Sequence, residues 1–183
     1  MPPKLLLQVL ADFYERLEER GVSPVVAGGL AVSFWGHPRS TQDIDLAIVA
    51  ENLTQFEQEL RAMGLKPSKL GRWVDLGFVK ASQWTVSIED QYIDCQIDFL
   101  ASNSEYFRQA MDNAISVEFT GIDREVRVLT LEDLLLFKAA SGRLIDLADI
   151  KTLSQIHRGN LDEEYLAAKG QELKLPIRFW LTG

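Results

Sequence analysis

The chain has 183 residues, with 19 Lys and Arg against 27 Asp and Glu, a formal charge of −8, which disfavours a protein dedicated to wrapping nucleic acid. Its length suits one domain with room for a small helical appendage, and 46% hydrophobic residues can build a core, which excludes disorder over most of the chain. Cys95 is the one cysteine, so no intramolecular disulfide forms, and with two distant histidines it makes no zinc site of the usual kind.

In chain order, Leu6, Val9, Leu10, Phe13 and Leu17 mark an amphipathic helix from Pro3 to about Arg20, stopped at Gly21. Charged residues follow Leu5–Leu7 too soon for a signal-peptide core, and no apolar run approaches the roughly 20 residues of a membrane span, so a cytoplasmic protein without membrane contact is expected. Val22–Ala27 reads as a buried strand broken by Gly28-Gly29, and Leu30–Trp35 as a short helix. Asp43–Val49 is a second strand, followed by a helix over Leu53–Met63. Strands over Trp73–Val79, Trp84–Ile88 and Tyr92–Leu100 suggest an antiparallel meander. A helix over Glu105–Asn113 precedes a hairpin, Ile115–Phe119 with Arg124–Leu129, turning at Gly121-Ile122-Asp123. Thr130 is the expected N-cap of a helix over Leu131–Ala140, with Asp133 at its third position, and helices over Leu144–Ile156 and Asp162–Ala168 follow. There is no internal repeat and no long linker. The fold class is α+β: a mixed or antiparallel sheet flanked by helices over residues 1–130, and a helical portion over 131–183 that packs on it or joins it in one compact domain.

Asp43 and Asp45 stand two apart in a strand, so both carboxylates leave one face while Ile44 and Leu46 point to the core. Two carboxylates held that close repel, and a divalent cation is their natural partner. In Ile93–Leu100, apolar residues alternate with Asp94, Gln96 and Asp98. If that strand lies beside Asp43–Val49, either Asp98 or Asp94 supplies a third carboxylate to an oxygen-rich site for two Mg²⁺ ions, with Mn²⁺ as a substitute. Such a site serves phosphoryl or nucleotidyl transfer. Upstream, Gly28-Gly29 opens a helix after a strand, where phosphate can approach backbone N–H groups.

Ala27-Gly28-Gly29-Leu30-Ala31 followed by Arg39-Ser40-Thr41-Gln42-Asp43-Ile44-Asp45-Leu46 resembles the signature of the polymerase β-like nucleotidyltransferase superfamily. The Arg-x-Thr-x-Asp-x-Asp form, with Leu131–Lys138 and Gly142–Ile150, is similar to its AbiEii-type branch, which includes toxins of toxin-antitoxin and abortive-infection systems. The resemblance implies transfer of a nucleoside monophosphate from an NTP to an acceptor hydroxyl on RNA, protein or a small molecule, with release of pyrophosphate. It implies triphosphate binding at Gly28 and Gly29, metal ligation by Asp43 and Asp45, and a catalytic-metal ligand at Asp98 that helps deprotonate the acceptor. An antitoxin protein is the implied partner. The superfamily often has Gly-Ser where this chain has Gly28-Gly29, which removes a hydroxyl that contacts phosphate.

Each residue also has a plainer reading. Gly28-Gly29 can be a tight turn, Asp43 and Asp45 an edge that resists aggregation, and Asp94 and Asp98 a solvated strand face. Arg39 and Thr41 either make loop contacts or neutralise triphosphate and orient carboxylates. Lys138 and Arg143 either reach phosphate or join ion pairs, since Arg143, Asp146 and Asp149 recur at spacings of three. Arg72, Lys80, Arg124, Arg127 and Lys138 are candidates for a basic patch serving an RNA acceptor. Besides a transferase, two functions fit: a non-catalytic module that binds a nucleotide or a partner, and a two-metal nuclease, for which a triphosphate turn has no use.

Overall fold

The structure is a computed structural model that describes residues 3–68, 72–88 and 93–175. Tyr92, at the start of one expected strand, and Trp180 lie outside them. Seven helices are present among these residues: α1 (Pro3–Glu18), α2 (Gly28–Phe34), α3 (Leu53–Ala62), α4 (Glu105–Asn113), α5 (Leu131–Ser141), α6 (Leu144–Ile156) and α7 (Glu163–Glu172). The strands are β1 (Val25–Val26), β2 (Asp43–Val49), β3 (Lys66–Pro67), β4 (Val74–Asp75), β5 (Lys80–Ile88), β6 (Ile93–Ser102), β7 (Ile115–Glu118) and β8 (Glu125–Val128). They form one mixed sheet in the order β3-β5-β6-β2-β1-β8-β7, with β4 paired to β5 alone. The α+β class and the mixed sheet flanked by helices agree with the sequence reading.

Alternation decides which face of the sheet is core. Ile44, Leu46 and Ile48 of β2 and Cys95, Ile97 and Phe99 of β6 are fully buried, as is Trp84 of β5. The residues between them, Asp43, Asp45, Gln96, Asp98 and Gln83, therefore share the opposite face. Burial also pushes the Cys95 thiol up to about 11, which keeps it an unreactive core residue. β2 and β6 run parallel with Asp45 opposite Asp98, while β5 and β6 run antiparallel with Gln83 opposite Asp98. Asp45, Asp98 and Gln83 thus form one row across three strands.

The C-terminal helices close over this face. Thr130 caps α5 by accepting from Asp133 N at 3.2 Å, and its hydroxyl donates to Asp133 Oδ2 at 2.8 Å. The buried Asp133 carboxylate also accepts from Tyr106 of α4 at 2.9 Å and Tyr165 of α7 at 2.8 Å, tying three helices together. Burial, and then the pairing with Asp133, raise both phenols above their ordinary range. Buried Leu131, Leu134, Leu136 and Phe137 put most of α5 in the core, which continues through Ile150 and Leu153 of α6.

Several boundaries differ from the sequence reading. α2 begins at Gly28 rather than Leu30, β1 spans Val25–Val26 rather than Val22–Ala27, β6 runs to Ser102, α7 extends to Glu172, and β3 was not expected. The expected strand Trp73–Val79 reduces to β4. Gly77 has φ +93°, its N–H donates to Asp75 Oδ1 at 2.8 Å, and Leu76 N donates to Val79 O at 2.9 Å, so the chain reverses within this stretch. The meander is accordingly a β4–β5 hairpin followed by β6, and the parallel β2–β6 pair interrupts its antiparallel pattern.

Candidate active site

The β1–α2 turn is shaped around a carboxylate. Gly28 has φ +54°, and a Cβ there would lie 1.8 Å from Asp45 Oδ2, so no side chain fits. At Gly29 a Cβ would meet Thr41 Oγ1 at 2.8 Å, while its N–H donates to Asp45 Oδ2 at 3.3 Å. Thr41 in turn donates to Asp43 Oδ1 at 2.6 Å. The two glycines are therefore more than a tight turn, and Thr41 orients a carboxylate.

Asp43, Asp45 and Asp98 lie on one face, and the crowding registers in the acidity of Asp45 and Asp98. Burial first, then Asp43 and Asp98, push Asp45 up to about 7, against the smaller opposing effects of Lys138 and Gly29 N–H. Burial and Asp43 push Asp98 up to about 6, opposed by hydrogen bonds from Gln83 and Gln96, the latter at 3.1 Å. Asp94 does not join them. It pairs with Ser87 across the β5–β6 ladder, beyond the end of β2, and accepts from the Ser87 hydroxyl at 2.8 Å. Of the two candidates for a third carboxylate, Asp98 is the one that stands beside Asp45.

Above the carboxylates, charge is paired. Lys138 Nζ, buried on α5, donates to Asp146 Oδ1 at 2.9 Å and Asp149 Oδ2 at 2.7 Å. Arg39 reaches the same Asp149 oxygen at 2.7 Å, and Arg143 Nε reaches Asp146 Oδ2 at 2.6 Å. Burial alone would raise Asp146, but hydrogen bonds from Arg143 and Lys138 hold it below its ordinary value, and Arg143 is raised in return. With all five ionised, three cations and two anions leave this roof at +1, facing the three carboxylates. Arg39 thus binds α6 rather than Asp43 or Asp45, yet its Nε, buried and without a hydrogen-bond partner among the described residues, would stand 3.4 Å from a Cβ at Gly29.

The expected basic patch does not form. Arg124 pairs with Glu15 and Glu18 of α1, Arg127 donates to the backbone oxygens of Met111 and Asp112, and Lys138 is buried in the roof. Strands β5 and β8, which carry Lys80 and Arg127, lie near opposite edges of the sheet.

Between sheet and roof lies a cleft of about 410 Å³, lined by Gly28, Asp45, Asp98, Lys138 and Arg143, with Gln83, Arg72 and the β4–β5 hairpin on its far side. Sequence reasoning missed Gln83 and the hairpin wall. The signal for Gln83 was present, since a core-facing Trp84 turns its neighbour to the other face.

Among the described residues, no three His, Cys, Asp or Glu side chains stand as a ready metal cage. The donor set still fits a hard divalent cation: three carboxylates share one face, two have their pKa raised above the ordinary carboxylate range by burial and like charge, and no side chain at Gly28 intrudes on Asp45. Mg²⁺ takes only one or two protein carboxylates, with water and substrate phosphate completing its shell.

Among curated proteins, none matches the chain. Solved structures of nucleotidyltransferases share the fold. ANT(2″)-Ia, an antibiotic-resistance factor, is 16% identical with a TM-score of 0.58, covering 94% of this chain and 94% of that one. The lincosamide antibiotic adenylyltransferase LnuA, bound to lincomycin, is 17% identical with a TM-score of 0.52, covering 85% and 98%. An antigenic nucleotidyltransferase-like protein from Paracoccidioides brasiliensis is 16% identical with a TM-score of 0.52, covering 91% and 88%. The profile of a family described as uncharacterised nucleotidyltransferase matches residues 4–182, and the chain belongs to that family.

Proposed function

We propose that the chain is a metal-dependent nucleotidyltransferase that moves a nucleoside monophosphate from an NTP to an acceptor hydroxyl and releases pyrophosphate. The observation that carries this reading is the packing of Asp45 between the Gly28-Gly29 turn and Asp98, with Asp43 on the same face. A retired site has no physical reason to keep three carboxylates whose repulsion raises two of them. A nuclease has no use for the turn.

Two Mg²⁺ ions, with Mn²⁺ as a substitute, would be held by Asp43, Asp45 and Asp98 and would offset the charge gathering on the phosphoryl group. The chain's own groups do the rest. The N–H groups opening α2 at Gly28 and Gly29 bind the triphosphate, whose charge is met by Arg39, Lys138 and Arg143 from the roof. Thr41 fixes Asp43. Asp98 takes the acceptor's proton as that oxygen attacks the α-phosphorus, and the bridging oxygen leaves with its electron pair as pyrophosphate.

Within the superfamily we assign the chain to the AbiEii-type branch, on Arg39-x-Thr41-x-Asp43-x-Asp45 and the α5–α6 segment, in which case an antitoxin protein is its partner and the cytoplasm its location. RNA, protein and small molecules all present hydroxyl acceptors. LnuA bound to lincomycin and ANT(2″)-Ia in complex with adenylyl-2″-tobramycin support the last of these. No helix among the described residues is long and apolar enough to cross a membrane.

The test is pyrophosphate release from each NTP with Mg²⁺ by wild type, Asp98→Asn and Asp94→Asn. Loss with Asp98→Asn alone is expected. Loss with Asp94→Asn alone would overturn the third carboxylate, and NTP binding without turnover in any candidate acceptor extract would favour a binding module.

A further inference from the structure

Asp98 stands between two unlike halves of the cleft. Toward β2 and β1 the wall is polar, made by Asp45, the Gly28 turn and the roof cations. Toward β5 it is carbon: Val74, Leu76 and Val79 of the hairpin, Leu100 of β6 and Phe137 of α5. Gln83, opposite Asp98 on the next strand, marks the boundary. Val74 remains 53% exposed on a short strand that pairs only at β5, an apolar side chain turned to the cleft where packing does not need it.

Resting on the nucleotidyl-transfer reading, we propose that this apolar chamber holds the acceptor, and that the acceptor is a small molecule whose hydroxyl is carried on an apolar body. Phosphoryl transfer keeps the attacking and leaving oxygens roughly in line. A pyrophosphate leaving toward Gly28 requires the attacking oxygen on the opposite side of the α-phosphorus, which is the side of Asp98 and the chamber. There the acceptor O–H oxygen forms the new bond to phosphorus, its proton passes to the Asp98 carboxylate, and Gln83 is placed to hydrogen-bond the same hydroxyl. The whole cleft, at about 410 Å³, falls within the range of sites for compact organic ligands. A polyanionic acceptor lacks counter-charges here. Arg72 is the cation on this side of the cleft among its described lining residues, the roof cations Lys138 and Arg143 are assigned to the triphosphate in the donor half, and the chain carries −8.

The experiment titrates the full chain calorimetrically with each NTP plus Mg²⁺, with 2-naphthaleneethanol as the apolar alcohol, and with a 20-nucleotide RNA bearing a free 3′ hydroxyl. Wild type is expected to bind an NTP and, at a Kd on the order of 1 mM for a ligand of this size, the alcohol. Val74→Glu, at an exposed position that tolerates charge, should weaken the alcohol about tenfold or more while leaving NTP affinity within about twofold. Ala81 of β5 also lines the cleft, so Ala81→Leu fills the chamber without charging it and should do the same, and misfolding of one variant does not decide the matter. If wild type binds an NTP but not the alcohol, if both variants bind the alcohol as tightly as wild type, or if the RNA binds in preference to it, the acceptor assignment is overturned and the donor site stands. If no NTP binds, the nucleotidyl-transfer reading fails and the acceptor assignment falls with it.

Discussion

The floor of the cleft gathers three charged groups and the roof five, and the two treat them in opposite ways. In the roof, Lys138, Arg39 and Arg143 meet Asp146 and Asp149 at 2.6–2.9 Å, so each buried carboxylate has cationic partners. On the floor, Asp43, Asp45 and Asp98 face one another with hydrogen bonds from Thr41, Gly29 and Gln96 but, among the described residues, no direct ion pair, and Asp45 and Asp98 are pushed up to about 7 and about 6. Paired charge ties α5 to α6, and through Arg39 ties α6 to the loop before β2. Unpaired like charge is a cost to the folded state that a bound cation removes, which is why the floor and not the roof is read as the reacting centre.

Substitutions on the two sides should therefore separate function from stability. Asp45→Asn should cut Mg²⁺-dependent turnover by about 10²–10³-fold or more while leaving the fold intact, measured by pyrophosphate release against circular dichroism; full activity would break the comparison. Lys138→Met should do the reverse first, destabilising by about 3–5 kcal/mol in urea unfolding because Asp146 and Asp149 keep their burial and lose their ammonium. A loss below about 1 kcal/mol would show that the roof is not a structural network. Gly28→Ala sharpens the contact between turn and floor: with positive φ and Asp45 in the way of a Cβ, it should cost about 1–2 kcal/mol and displace that carboxylate.

The smallest effect concerns pH. Asp45 and Asp98 bind protons more tightly folded than unfolded, so the stability they contribute is present below about pH 4 and is lost as pH rises through about 6 and 7. Without metal, the thermal midpoint should fall across that window, and Asp45→Asn should flatten the fall by on the order of 1 kcal/mol, or roughly 2–4 °C for a chain of this size. Added Mg²⁺ should flatten it in wild type. A midpoint that rises with pH over the same window in wild type alone would contradict the repulsion.

Local features of this site were legible in the sequence and long-range ones were not. Two-residue alternation put Asp43 and Asp45 on one face and Asp98 on another strand's polar face, and the spacing of Arg143 and Asp146 announced their ion pair. Thr130 and Asp133 declared the start of α5. The choice between Asp94 and Asp98 stayed open because it depends on the register of β2 against β6, set by strands that pair across some fifty residues of chain. The bond from Arg39 to Asp149 spans 110 positions and leaves no local trace. The β4–β5 hairpin was hidden because Trp73–Val79 carries apolar residues suited to a strand, and Asp75-x-Gly77, the turn that divides it, was outweighed by them.

Whether the carboxylate floor and the glycine turn make one nucleotide site is decided by a calorimetric titration of the four NTPs with Mg²⁺ on wild type and on the Asp43→Asn, Asp45→Asn double variant. Wild type should bind at least one NTP in a metal-dependent way and the double variant should lose that binding, with both proteins equally folded. Equal binding by the two proteins, or binding by neither, would contradict the shared site.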